Sequence, residues 1–211
     1  MKSYAIYRIA ETIRVILFMT LSIVIFNFYP ITALMIIVLA LLNDIPILAI
    51  AYDRTRVDRE PVRWNMAELL TVSSILGTAG VVASFLLFFI LVELGFPNPA
   101  IQSLIFVKLV VAGHLTIFLT RTDDWFWKRP FPSATLFSIN LVTAVLGTLI
   151  GVYGFLITPI SWQNALYIWA YALAWFLFSD IVKMASYRLV KRFGHRSLPH
   201  LKQQSTLPRD V

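Results

Sequence analysis

The sequence predicts an all-α integral membrane protein with six transmembrane helices. Hydrophobic residues make up 59% of its 211 residues and charged residues only 14%, and the mean hydropathy is +0.78. A soluble domain is typically about 45–50% apolar and about 25% charged. Apolar runs of roughly 20 residues recur along the chain, and each is long enough to cross a hydrocarbon core of about 30 Å.

Turn residues separate these apolar runs. Tyr29-Pro30 lies between the first two, Pro97 and Pro99 between the third and fourth, and Thr158-Pro159 between the last two. The predicted spans are residues 6–28, 31–50, 68–94, 100–119, 133–155 and 162–184. Residues 186–211 are polar and basic, and we expect them to form a cytoplasmic tail without fixed structure.

The positions of the cations predict the orientation of the spans. Of the 18 Lys and Arg residues, all except Arg14 and Lys108 flank the spans on one side of the membrane. By the positive-inside rule, both termini are then cytoplasmic. This topology and contact with anionic lipid explain the net charge of +7 without a nucleic-acid partner.

Several kinds of site are not expected in this chain. It has no cysteine, and His114, His195 and His200 are too scattered for a metal site. Neither a GxxxxGK[ST] nor a GxGxxG motif occurs, so no bound nucleotide or other cofactor is expected. We find no nucleophile–base pair and therefore assign no catalytic residue.

Asp44 and Arg14 are the main candidates for function because ionisable groups inside a bilayer are costly unless they are paired or hydrated. They lie on adjacent, antiparallel spans, and at about 1.5 Å per residue both are roughly 9–12 Å below the same membrane face. We therefore expect Asp44 to face Arg14 as a buried pair. Such a carboxylate can serve proton or cation transport; a static ion pair that holds two helices together is the alternative.

Residues next to Asp44 and Arg14 in the sequence provide further candidates for an ion or proton site. Pro46 has no N–H and its ring clashes with the carbonyl of Leu42, which predicts a kink or local unwinding beside Asp44. Freed carbonyls together with Asn43 and Asp44 would form an ion or proton site, and a structural hydrogen-bond network is the alternative. Glu11 lies three residues before Arg14 on the same helix face, where it can pair with Arg14 or line a cytoplasmic entrance.

Two further charged residues lie within the predicted spans. Lys108 is near the middle of the fourth span and needs a partner or a hydrated cavity; Asn140 and Glu93 are the candidate partners. Asp180 is expected to cap a helix or to pair with Lys183 or a loop cation.

The remaining polar and small residues have structural interpretations. We expect His114 to be a buried neutral histidine bonded to a helix carbonyl. Glycines at helical spacing are expected to let helices approach closely; they are Gly77, Gly80, Gly147, Gly151 and Gly154.

Parts of the chain resemble plasma-membrane-type proton-pumping P-type ATPases over roughly residues 1–190. Residues 1–7 (MKSYAIY) and 11–14 (ETIR) resemble the stalk and fifth membrane helix of that family. Residues 42–48 (LNDIPIL) and 53–54 (DR) resemble its sixth helix and the loop that follows. Residues 118–122 (FLTRT) and 127–130 (WKRP) resemble the loop between its eighth and ninth helices.

The resemblance implies roles for three residues. Asp44 matches the membrane aspartate that accepts and donates the proton, and Asn43 matches the amide before it. Arg14 matches the arginine that helps to release the proton and blocks its return. Ile45-Pro46 replaces the Gly-Thr of plant and fungal members, as in archaeal or bacterial members.

The resemblance also implies what an intact pump would need in addition. The DKTGT phosphorylation motif, the nucleotide-binding domain, the actuator loop and the first four helices are not in this sequence. The expected protein is thus the C-terminal membrane part of a plasma-membrane proton or cation pump. ATP and Mg²⁺ would bind to its N-terminal half, a partner without which this chain is inactive. A stand-alone secondary transporter or ion-conducting protein, or a non-catalytic scaffold, is the alternative.

Overall fold

The computed structural model describes residues 2–50, 53 and 66–194, which form six α-helices and no strand. The predicted all-α class is therefore confirmed. The helices are α1 (Lys2–Phe26), α2 (Ala33–Ala49), α3 (Met66–Glu93), α4 (Asn98–Thr120), α5 (Ala134–Tyr153) and α6 (Trp162–Gly194).

Five of the described helices are long and apolar enough to cross a membrane, and α2 is a shorter apolar helix of 17 residues. At about 1.5 Å per residue α2 is roughly 25 Å long, near the lower limit for a span. The last helix continues to Gly194, beyond the predicted end of its span at residue 184. The predicted tail therefore begins inside α6, and its residues from 195 onward lie outside the described residues.

Local sequence signals explain where the helices begin and end. The side chain of Thr32 caps α2 by accepting a hydrogen bond from the N–H of Met35 at 3.3 Å. Ser133 caps α5 in the same way through the N–H of Leu136 at 3.2 Å. Gly154 ends α5 with a φ of 67°, so its role is the turn and not the helix packing expected from its spacing.

The helix α4 lies at the centre of the bundle. It packs against each of the other helices, whereas α1 packs mainly on α3, and α2 packs on α5 and α4. The packing expected of four glycines is confirmed, because a Cβ at each would meet a neighbouring helix within 2.7 Å. Gly77 faces Ile13, Gly80 faces Arg14, Gly147 faces Val110, and Gly151 faces Val107.

Two buried ion pairs connect helices and loops at the end of the bundle where α1 begins. Asp53 accepts hydrogen bonds from Arg121 and from the N–H of Ser133. Asp180 pairs with Lys183 at 2.8 Å, as the sequence predicts, and Lys183 also donates to the carbonyls of Leu119 and Asp124. These contacts fix the loop between α4 and α5 against α6 and against Asp53.

Candidate ion-binding site

Asn43 and Asp44 are neighbours in the sequence but face different surroundings. Asn43 is buried in the bundle, whereas the side chain of Asp44 is 53% exposed. Successive residues of an α-helix are about 100° apart around its axis, so only one of the two can face the interior. The neutral amide occupies the buried position and the charged carboxylate the open one, which is the less costly arrangement.

The predicted pairing of Asp44 with Arg14 is wrong in this conformation. Asp44 instead contacts the guanidinium of Arg8 at 3.1 Å, and Arg8 is also about half exposed. Arg14 is buried and pairs with Glu11, which is also buried. Asp44 and Arg14 were expected at the same depth in the membrane, but the direction in which each side chain leaves its helix determines its partner.

Glu11, Arg14 and Asn43 form a buried polar cluster between α1, α2 and α4. Glu11 accepts from Arg14 through Oε2 and from the amide of Asn43 through Oε1, the latter at 3.4 Å. Arg14 also donates to Thr116 of α4 through Nη1 at 3.4 Å. The pairing of Glu11 with Arg14, one of the two alternatives for Glu11, is thereby confirmed.

Two glycines give this cluster the space that it occupies. A Cβ on Gly80 would lie 2.5 Å from Cδ of Arg14. The aliphatic part of the Arg14 side chain can therefore pack against α3 only because residue 80 has no side chain. A Cβ on Gly113 would lie 3.1 Å from Oδ1 of Asn43 and 3.4 Å from Oε1 of Glu11. The role of Gly113 could not be predicted from the sequence, because a lone glycine in an apolar helix gives no indication of what lies beside it.

Unpaired polar atoms concentrate around Glu11. Of six buried side-chain polar atoms with no hydrogen-bond partner in the described part of the chain, three lie on Tyr7, Arg14 and Asn43. They are the hydroxyl of Tyr7, Nε of Arg14 and Oδ1 of Asn43. Buried polar groups in native proteins are almost always hydrogen-bonded to protein or water, so these three atoms have capacity for further hydrogen bonds.

Of the kink or local unwinding expected beside Pro46, the unwinding is wrong. The helix is continuous from Ala33 to Ala49, and Pro46 is buried within it. Proline leaves the carbonyl of Leu42 without its usual N–H donor. The imidazole of His114 contacts the hydroxyl of Thr143 through Nε2 at 2.7 Å. His114 also donates to the carbonyl of Val110 through Nδ1 at 2.7 Å, which confirms its expected bond to a helix carbonyl.

Lys108 contacts neither of its predicted partners. Its ammonium donates to the hydroxyl of Ser84 at 2.6 Å, whereas Asn140 donates to the carbonyl of His114 and Glu93 is exposed. Lys108 and Arg14 both line a cavity of about 40 Å³ between α3, α4 and α6, whose other polar side chains are Thr116 and Ser179. The cavity is large enough for water, which needs roughly 10–15 Å³.

Asp44 lies in an exposed stripe along α2. The other members are apolar and follow at helical spacing: Leu34, Ile37, Leu41, Ile45 and Leu48. On α1, Arg8 belongs to an exposed row that includes Tyr4, Thr12 and Ile16 at spacings of four residues. The Arg8–Asp44 pair therefore joins two helix faces that no described residue covers.

Comparison with known proteins identifies the relatives of this chain. Over 192 residues it is 50% identical to a protein of Methanocaldococcus jannaschii that bears the name of a cation-transporting ATPase. Its homologues are P-type cation-transporting and plasma membrane ATPases. The similarity covers 90% of this chain and 24% of the M. jannaschii protein. No family model matches the chain.

Two eukaryotic plasma membrane ATPases are similar to the chain at lower identity. The Dictyostelium discoideum protein is 27% identical over 216 residues, which cover 87% of this chain. Plasma membrane ATPase 2 of Schizosaccharomyces pombe is 28% identical over 160 residues, which cover 73% of it. The chain spans about a quarter or less of the length of these P-type ATPases, and five of its described helices are long and apolar enough to cross a membrane.

Proposed function

We propose that this chain is the C-terminal membrane portion of an ATP-driven cation pump of the plasma membrane, and that Asp44 is its ion-binding carboxylate. The cation is a proton, and ATP with Mg²⁺ is bound and hydrolysed by domains outside this chain. Both termini face the cytoplasm, in keeping with the distribution of Lys and Arg. The homology to cation-transporting ATPases supports the pump, and the position of Asp44 supports the site.

The observation that carries the proposal is the charged pair on an otherwise apolar, uncovered face. A charged residue facing lipid costs about 2.5–3.5 kcal/mol at the centre of a helix, so such residues nearly always face protein or a water-filled cavity. Asp44 and Arg8 are about half exposed at the side of the bundle. We infer that the remaining membrane helices of the pump cover this face and enclose Asp44.

Enclosure of the Arg8–Asp44 pair by further helices would allow Asp44 to bind and release a proton. A cation in contact with a carboxylate favours its charged form, and removal of that cation in a dry site favours the protonated form. Arg8 is positioned to act as such a cation for Asp44. The resemblance assigns the release of the proton to Arg14. In this conformation Arg8 is the guanidinium beside Asp44, so we include Arg8 in the site.

A chimeric pump tests the assignment of Asp44. This chain would replace the matching segment of the M. jannaschii relative, and ATP-dependent acidification would be measured in proteoliposomes. We expect Asp44→Asn to abolish acidification because an amide cannot carry a proton, while Glu93→Gln, an exposed carboxylate at the far end of α3, leaves it unchanged.

Two results would count against the proposal. Normal acidification by the Asp44→Asn chimera would remove Asp44 from the site. A proton or cation flux through liposomes that hold this chain alone, without ATP, would favour a stand-alone transporter instead.

A further inference from the structure

We propose that Glu11 is a second proton-binding carboxylate, for which Arg14 and a proton compete, with Asn43 as the hydrogen-bond partner in both states. The inference concerns a group that the proposed role of Asp44 does not use. Any part that Glu11 plays in transport rests on the proposed function, whereas proton binding by Glu11 itself does not.

Glu11 is buried in the bundle. Its side chain is only 7% exposed, and among the described residues it has one charged partner, the guanidinium of Arg14. A buried carboxylate that loses its only cation is not solvated by water, and neutralisation by a proton is then the less costly outcome. Glu11 is therefore ionised with Arg14 in place and protonated when Arg14 withdraws.

The side chain of Asn43 is a hydrogen-bond partner of Glu11. An Asn side chain offers both donors and an acceptor, so it can serve either form of a neighbouring carboxyl group. Here Nδ2 donates to the Glu11 carboxylate at 3.4 Å, and Oδ1 is buried without a partner in the described part of the chain. A protonated Glu11 becomes a donor, and Oδ1 of Asn43 is the acceptor that it needs.

Arg14 has space and hydrogen-bond partners for a second position away from Glu11. Its Nη1 already donates to Thr116 on the side away from Glu11, and its Nε has no partner among the described residues. On that side lies the cavity of about 40 Å³ with the hydroxyls of Thr116 and Ser179. Space and hydrogen-bond partners are thus available for a guanidinium that has left Glu11, together with water that solvates it.

Other titratable groups surround the cluster and contribute to the electrostatic potential at Glu11. On α3 the adjoining residues are the glycines Gly77 and Gly80. The titratable groups are Tyr7 and Arg14 on α1, Lys108 and His114 on α4, and, beyond Asn43, Asp44 on α2 paired with Arg8. Lysine and histidine side chains are cationic or neutral, so neither Lys108 nor His114 can replace Glu11 as the counter-ion of Arg14.

Carboxyl-carbon NMR of the chain in lipid nanodiscs, with only the glutamates labelled, tests the competition directly. We expect every glutamate to be ionised at neutral pH in the unaltered chain. Arg14→Gln should convert one glutamate per chain to the protonated form at the same pH. That signal should vanish in Glu11→Gln/Arg14→Gln and persist in the control Glu93→Gln/Arg14→Gln.

The proposal is overturned if all glutamates of the Arg14→Gln chain remain ionised, or if the protonated signal survives the Glu11→Gln change. A measurement on the unaltered chain guards against misfolding of the variants. On acidification, the labelled guanidinium nitrogens of Arg14 should change over the same pH range as the Glu11 carboxyl. An unchanged Arg14 signal would refute the competition, and none of these results depends on whether Asp44 carries the transported ion.

Discussion

Two ion pairs that involve arginines of α1 differ in burial, although each joins a guanidinium to a carboxylate. Glu11–Arg14 lies in the packed interior between α1, α2 and α4, with both side chains nearly fully buried. Arg8–Asp44 lies between two uncovered helix faces, with both side chains about half exposed. The buried pair is held by contacts within this chain, whereas the open pair lies at a face that no described residue covers. The same two chemical groups are thus enclosed in one region and accessible in the other.

The largest expected effect comes from breaking the buried pair. Glu11→Leu leaves the guanidinium of Arg14 inside the bundle without a counter-ion, and arginine cannot lose its proton there. Removing one partner of a buried ion pair typically costs about 3–5 kcal/mol. The free energy of unfolding, measured in mixed micelles with increasing denaturing detergent, should fall by about that amount.

The double variant Glu11→Leu/Arg14→Leu provides the matched control for this change. Replacing both partners with apolar residues is often neutral in energy, so most of the lost stability should return. If the double variant is as unstable as Glu11→Leu, the loss comes from packing and not from the unpaired charge.

A smaller effect is expected from filling the space in which Arg14 lies. A Cβ in Gly80→Ala would be 2.5 Å from Cδ of Arg14, and overpacking of this kind costs roughly 1–3 kcal/mol. That cost exceeds the gain of up to about 1 kcal/mol from replacing glycine within a helix. Unfolding in the same mixed micelles measures the net change.

Thr78→Ala, at an exposed position of the same helix, should stay within about 0.5 kcal/mol of the unaltered chain. A stabilised Gly80→Ala chain would mean that Arg14 can leave its position without cost, and that the buried pair is less rigidly held than its contacts indicate.

The smallest effect on stability is expected from the open pair. Asp44→Asn removes a half-exposed ion pair, and such pairs contribute about 0–1 kcal/mol. The difference from the unaltered chain should shrink further as salt is raised, because salt screens exposed charges more than buried ones. Unfolding at low and high salt checks both points; a salt-independent loss as large as that of Glu11→Leu would erase the distinction between the two regions.

The fold could be predicted largely from the chain itself. Apolar runs bounded by Pro and Gly gave six helices, because a span must be long, apolar and internally hydrogen-bonded. Pairs at spacings of three residues, Glu11 with Arg14 and Asp180 with Lys183, were also within reach, since such residues are neighbours on any helix. These features need only the geometry of one helix.

The candidate site could be predicted only in part. Depth in the membrane follows from counting residues, but the direction of a side chain follows from how each helix is rotated against its neighbours. Asp44 therefore forms its ion pair with Arg8 and not with Arg14, and Lys108 donates a hydrogen bond to Ser84. Pro46 lies within a continuous helix, and no feature of the local sequence showed that α2 would not unwind there.

The sequence by itself determined that this chain forms apolar membrane helices and which few charges they carry, because hydropathy and residue spacing act within a single helix. Only the tertiary structure decided which of those charges are buried together and which remain at an open face. Helix rotation turned Asn43 inward and Asp44 outward, and glycines at 80 and 113 opened the space for Arg14. Burial sets the energy of a charge, and burial is a property of the assembled bundle.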